Sequence, residues 1–253
     1  MNIQILKNQS NKFIMTNLIK ILAGTFLTFL LFSCGFPIDG VRGEGKVVRK
    51  EKTIDQPFTA IEVSRGMEVV LSKSNDKKVI VEANENLHDI IQVYVEGETL
   101  HVTADKNIYQ ADEKTVFVSY QKLTRLSGSS GSNVTSAEPI VQKEIKVSAS
   151  SGANVNLQIR AENLNSHTSS GAAMKLTGQV NVHSADASSG SNLRADELLS
   201  LVTEAEGSSG ASVKVHAKNE FTGKATSGAS VSYYGNPEKV SENDSSGGSV
   251  RKK

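Results

Sequence analysis

SSGSNV, residues 129–134, is the first of seven copies of one phrase. The others are SSGANV (150–155), SSGAAM (169–174), SSGSNL (188–193), SSGASV (208–213), TSGASV (226–231) and SSGGSV (245–250). Their glycines are Gly131, Gly152, Gly171, Gly190, Gly210, Gly228 and Gly247, separated by 21, 19, 19, 20, 18 and 19 residues. A short fixed period marks a solenoid, in which each unit buries its apolar face against the next.

The residues around the glycines say which solenoid. Three positions after each glycine stand Val134, Val155, Met174, Leu193, Val213, Val231 and Val250. Two further on come Leu157, Leu176, Ala195, Val215 and Tyr233, with Asn156, Lys175, Arg194, Lys214 and Ser232 between the two apolar sets. Alternation with period two is the mark of a strand. A second apolar column precedes each glycine by seven or eight residues: Leu123, Ile145, Leu164, Val182, Val202, Phe221 and Val240. Each unit therefore holds at least two short strands separated by bends. Tetratricopeptide and ankyrin units are longer and helical, and the leucine and asparagine consensus of leucine-rich repeats is absent. An all-β, parallel β-helix with about 19 residues per coil fits. The Ser-Ser-Gly phrase is its corner. Glycine opens dihedrals closed to other residues, and successive coils lie about 4.8 Å apart. The glycine is explained either by a left-handed conformation or by tight packing, and the sequence leaves both open.

Upstream of the regular repeats, from about residue 123, the period is lost. Phe58, Ile61 and Val63 alternate before Ser64-Arg65-Gly66-Met67, a degenerate first corner. Ser74-Asn75-Asp76 and Glu96-Gly97-Glu98 are turns between apolar strands. This half reads as wider coils with hairpin excursions that cap the stack, since an open solenoid end must be covered. A separate small β-domain is the alternative.

The chain begins differently. Ile21 to Phe32, ILAGTFLTFLLF, is almost wholly apolar and follows Lys20. Twelve residues are short for a membrane span and suit a signal-peptide core. Translation starts at Met1 or at Met15; both fit. The run ends in Leu31-Phe32-Ser33-Cys34-Gly35, similar to a bacterial lipobox. That resemblance implies cleavage before Cys34, which makes residues 1–33 a signal peptide, and acylation of Cys34 as the membrane anchor. Cys34 is the only cysteine, so no disulfide can form within the chain. Residues 34–57 then read as a tether, rich in glycine and mixed charge. From Cys34 onward the chain carries 25 basic and 27 acidic residues, a balance that excludes a nucleic-acid partner as the expectation.

Together these features resemble the DUF2807 family, the head GIN domain ascribed to autotransporter adhesins. The resemblance rests on the Ser-Ser-Gly corners, on Leu123-Thr124-Arg125-Leu126, and on Gly228 to Pro237 followed by Ser246-Gly247-Gly248-Ser249-Val250. It covers residues 58–250. It implies a right-handed β-helix and a lipoprotein of Bacteroidetes type, anchored in the outer membrane. The periplasmic face is the default and the cell surface stays open. The extra Gly128 and the charged tail Arg251-Lys252-Lys253 depart from the family pattern.

No catalytic, metal or cofactor site is expected. The histidines His88, His101, His167, His183 and His216 keep no common offset from the glycines. No serine stands in a G-x-S-x-G elbow. Asp186, Asp196, Glu204 and Glu206 are the carboxylates a β-helix polysaccharide enzyme would use. Asp186 and Glu206, each four before its glycine, would stack one coil apart, and no basic column is expected beside them. The expectation is a non-enzymatic envelope protein offering a repetitive surface to a glycan or protein partner. A carbohydrate-active enzyme is the alternative.

Overall fold

A computed structural model describes residues 40–76 and 78–253. Cys34 and the apolar run before it lie outside the described residues. The rest is a β-solenoid built of two parallel ladders joined at the Ser-Ser-Gly corners. The ladder after the corners takes Lys114–Tyr120, Glu68–Lys73 and Asn133–Ser136, then the first halves of Asn154–Thr168, Ala173–Ala187 and Asn192–Gly207, then Ser212–His216, Ser230–Tyr234 and Ser249–Lys252. The ladder before the corners takes Thr99–Ala104, Ala60–Val63, Arg125–Gly128 and Ile140–Ala149, the second halves of the same long strands, then Glu220–Ala225 and Lys239–Asp244.

Each corner is a tight turn with two consecutive left-handed residues. In the first copy Ser130 has φ 51° and Gly131 φ 70°, and Ser132 N–H donates to Ser129 O at 3.1 Å. Positive φ at both central residues defines a type I′ turn. All seven copies share it, and Arg65-Gly66 is an eighth, which confirms the degenerate corner. A Cβ on any of the seven repeat glycines would meet nothing within 4 Å. The left-handed dihedral, not crowding, therefore explains the glycine. The corners also form a ladder of their own: Gly131 N–H donates to Ser151 O, Gly152 to Ser170 O, Gly171 to Ser189 O, and so on to Gly228 and Ser246 O, at 3.0–3.2 Å.

Crowding acts at the neighbours of the glycine. The position just after it is Ser132, Ala153, Ala172, Ser191, Ala211 and Ala229, all buried. The position three before it is Gly128, Ala149, Thr168, Ala187, Gly207 and Ala225, also buried. A Cβ on Gly207 would lie 3.1 Å from Val231 Cγ2 and 3.2 Å from Ala229 Cβ. Both sets face inward at the bend, where two strands converge and only small side chains fit. The extra Gly128 belongs to this inner set.

The apolar column from Val134 to Val231 is buried throughout, as is the set from Leu157 to Tyr233. The column before the corner needs correction. Val182, Val202 and Val240 are 41%, 37% and 48% exposed, while His183 and Thr203 are buried. Register runs Ile145, Leu164, His183, Thr203, Phe221, Val240. This is a constant seven residues before the glycine, so the valines eight before it face outward, as a one-residue slip requires. Val240 is in register, and among the described residues its strand has a neighbour on one side only.

The N-terminal half does cap the stack, with a twist in its order. Ala60–Val63 and Glu68–Lys73 form the first coil made, yet this coil sits between two others. Arg125–Ser136 lies on one side, and the coil of Thr99–Ala104 and Lys114–Tyr120 on the other. That outer coil is closed by antiparallel strands: Lys78–Asn84 on Lys114–Tyr120, and Ile91–Glu96 on Thr99–Ala104. Val47–Thr53 pairs antiparallel with Lys78–Asn84, and Val41–Arg42 pairs with Ile108–Gln110. So residues 41–42 and 47–53 belong to the cap and not to a tether. They show no apolar period because their strand is solvated on both faces, and the run Arg49-Lys50-Glu51-Lys52 is the charged sequence expected of a sheet edge.

Candidate functional site

Side chains that point outward recur at each coil, so the surface is ruled into ranks. Four residues before each glycine the rank reads Ser127, Ser148, His167, Asp186, Glu206, Lys224, Asn243. It continues through Glu62 to His101 in the cap. Neighbours along it pair off. Ser148 Oγ donates to Ser127 Oγ at 3.1 Å, His167 Nδ1 lies 3.5 Å from Asp186 Oδ1, and Lys224 Nζ lies 3.2 Å from Glu206 Oε1. Asp186 and Glu206 thus stack one coil apart as the spacing requires, but a basic partner does stand beside them in Lys224, one coil beyond. An 18-residue step between Gly210 and Gly228 carries that signal, visible once offsets are counted strictly from the glycines. Glu204 is two positions from Glu206, and Asp196 lies earlier on the same long strand, at its irregularity. The four carboxylates therefore do not converge. Asp186, Glu206 and Lys224 edge a dent of only about 140 Å³.

On the other ladder, four residues after each glycine, Lys175, Arg194 and Lys214 are register partners on three consecutive coils. Lys175 Nζ lies 3.2 Å from Glu197 Oε1; among the described residues Arg194 and Lys214 make no ion pair. Alongside runs the rank Asn133, Asn154, Ala173, Asn192, Ser212. A hollow of about 330 Å³ lies between the two ranks.

The histidines occupy separate places. His183 is fully buried, with Nε2 2.8 Å from Ser166 Oγ, and burial pushes its pKa down to about 4. His88 Nε2 is 3.1 Å from Val48 O, His101 stacks on Tyr94 at 5.0 Å between ring centroids, and His216 accepts from Thr203 Oγ1 through its main-chain oxygen. Among the described residues no group of three or more His, Cys, Asp or Glu is placed to hold a metal, and no helix is long and apolar enough to cross a membrane.

Fold and surface together define a class: a parallel β-solenoid that presents ranks of side chains repeated from coil to coil. The chain belongs to the DUF2807 family, whose model, "Putative auto-transporter adhesin, head GIN domain", matches residues 57–237. Among solved structures, a "putative adhesin" from Bacteroides fragilis is similar over 85% of this chain and 100% of its own, with TM-score 0.79 at 17% identity. A "putative adhesin" from Parabacteroides merdae matches over 85% and 99%, with TM-score 0.70 at 18% identity. A "putative lipid binding protein" from Parabacteroides distasonis matches over 84% and 99%, with TM-score 0.68 at 16% identity. At these identities the likeness is one of fold. No functionally curated protein matches the chain.

Proposed function

We propose that the protein is a non-enzymatic binding module of the cell envelope, held at the outer membrane by lipid on Cys34 and used for adhesion or assembly. The observation that carries this reading is the ruled surface: equivalent side chains repeat at coil spacing on a rigid β-frame, a pattern suited to a ligand that is itself repetitive. Asp186 and Glu206, the two carboxylates that stack, lie beside His167 and Lys224 at the edge of a small dent, and Asp196 and Glu204 do not join them, which weighs against the carbohydrate-active alternative. Binding of the full chain to a panel of envelope glycans and to solubilised envelope proteins tests the reading, and retention on neither overturns it. Turnover of a polysaccharide that is lost in Asp186→Asn or Glu206→Gln would establish the enzyme instead. For the anchor, intact-mass analysis in the native host is expected to show acylation that Cys34→Ala abolishes. An unmodified Cys34 would remove the lipid from the proposal.

A further inference from the structure

Like charges on directly facing strand positions destabilise a sheet. Lys175, Arg194 and Lys214 stand in that relation on three successive coils, about 4.8 Å apart. The fold does not require it, since Asn156 and Ser232 fill the same rank on the flanking coils. Beside the cations the neighbouring rank is interrupted. Ala173 stands between Asn154 and Asn192 in register, so a notch opens where an amide would otherwise project. Asn154, Asn156, Ala173, Lys175, Asn192 and Arg194 all line the hollow there. The cations beside the notch call for an anion, and the notch leaves room for a ring. A sugar acid supplies both, through its carboxylate and its ring.

Resting on the reading of the chain as a binding module, we propose that this groove binds an acidic polysaccharide. The polymer runs along the solenoid axis, with a carboxylate against Arg194 and Lys214 and a sugar ring seated in the notch over Ala173. Nucleic acid is the poorer fit, because no aromatic side chain stands in either rank between Asn133 and Arg251 to stack on bases. A bare anionic surface such as a phospholipid headgroup layer would leave the notch over Ala173 unfilled.

The test uses the full chain and polygalacturonate. Its methyl ester, single-stranded DNA and phosphatidylglycerol vesicles serve as competitors. Binding to polygalacturonate is expected to weaken with salt and to be lost on methyl esterification. Arg194→Gln with Lys214→Gln should weaken it about tenfold or more, a loss of about 1.4 kcal/mol or more. Lys224→Gln on the opposite rank should leave it unchanged. Ala173→Asn restores the residue found in the flanking coils, so it folds, and it fills the notch without changing charge; it should weaken binding as well. Three results overturn the proposal: equal affinity in the double variant, no effect of Ala173→Asn, or competition by DNA or vesicles as strong as by the polymer itself. Binding of neutral envelope glycans alone would overturn this groove and leave the binding-module reading standing. Binding to no glycan or envelope protein would remove both.

Discussion

The regular stack and its cap are made of the same strands, yet they obey different rules. In the stack a residue's surroundings are inherited from the same offset one coil away, because every pairing from Arg125 to Lys252 is parallel. In the cap the partners of Lys78–Asn84 are two antiparallel strands, Val47–Thr53 and Lys114–Tyr120, that share no motif with it. Repetition makes structure readable only where pairing follows chain order. It also implies that stability in the stack depends on neighbours, as in a one-dimensional chain of coupled units.

The largest effect expected from breaking that coupling is at Leu193, fully buried in the middle of the stack. Leu193→Ala should lower unfolding free energy by about 2–5 kcal/mol. Val250→Ala, in the same column but 8% exposed in the last coil, should lose distinctly less in the same denaturant titration. Equal losses would mean that the coils are not coupled.

The next effect is one of pH. Burial holds the His183 pKa at about 4 in the folded chain, against 6.5 for an unperturbed histidine. The unfolded chain therefore binds this proton more readily, and acid favours unfolding. Stability associated with His183 is complete above pH 6.5 and is lost as pH falls toward 4, by about 3 kcal/mol at one pKa unit per 1.36 kcal/mol. His183→Leu, which copies Leu164 from the preceding coil, should flatten this part of the stability–pH curve. A variant curve as steep as the wild type's would place the acid sensitivity elsewhere.

Smaller again is the corner. Gly190→Ala meets no clash and should lose only about 1–2 kcal/mol from the left-handed dihedral. Ser189→Asn should be neutral or slightly stabilising in thermal melts, since asparagine suits the first left-handed position of a type I′ turn. A collapse of the fold in Gly190→Ala would mean that the corner resists more than a dihedral change. The smallest effect belongs to the cap. Tyr120 has a buried hydroxyl without a partner and a pKa pushed up to about 12, first by burial and then by the Glu138 charge. Tyr120→Phe should be neutral or gain up to about 1 kcal/mol. A marked loss would reveal a partner for that hydroxyl.

The coil, its length and its corners were legible from the glycines alone, and so was the stacking of Asp186 on Glu206. The nearest apolar residue is a poor guide to the core where it departs from the fixed offset. Val182 and Val202 look like core beside His183 and Thr203, and only strict counting puts the polar pair inside. The cation groove was half legible: Lys175, Arg194 and Lys214 share an offset, but the hollow beside them needs coordinates. Strand Val47–Thr53 was illegible because main-chain hydrogen bonds hold it, and those leave no trace in side-chain pattern.

The first coil made, residues 60–73, lies inside the stack with the outer coil of residues 99–120 already closed over one side. From there the structure can lengthen in one direction only. Adding or removing a 19-residue unit among the later coils would change the height of the column by about 4.8 Å while leaving its base untouched. The protein is in this sense an adjustable post on a fixed footing, whose height can be retuned by duplication or loss of a single segment.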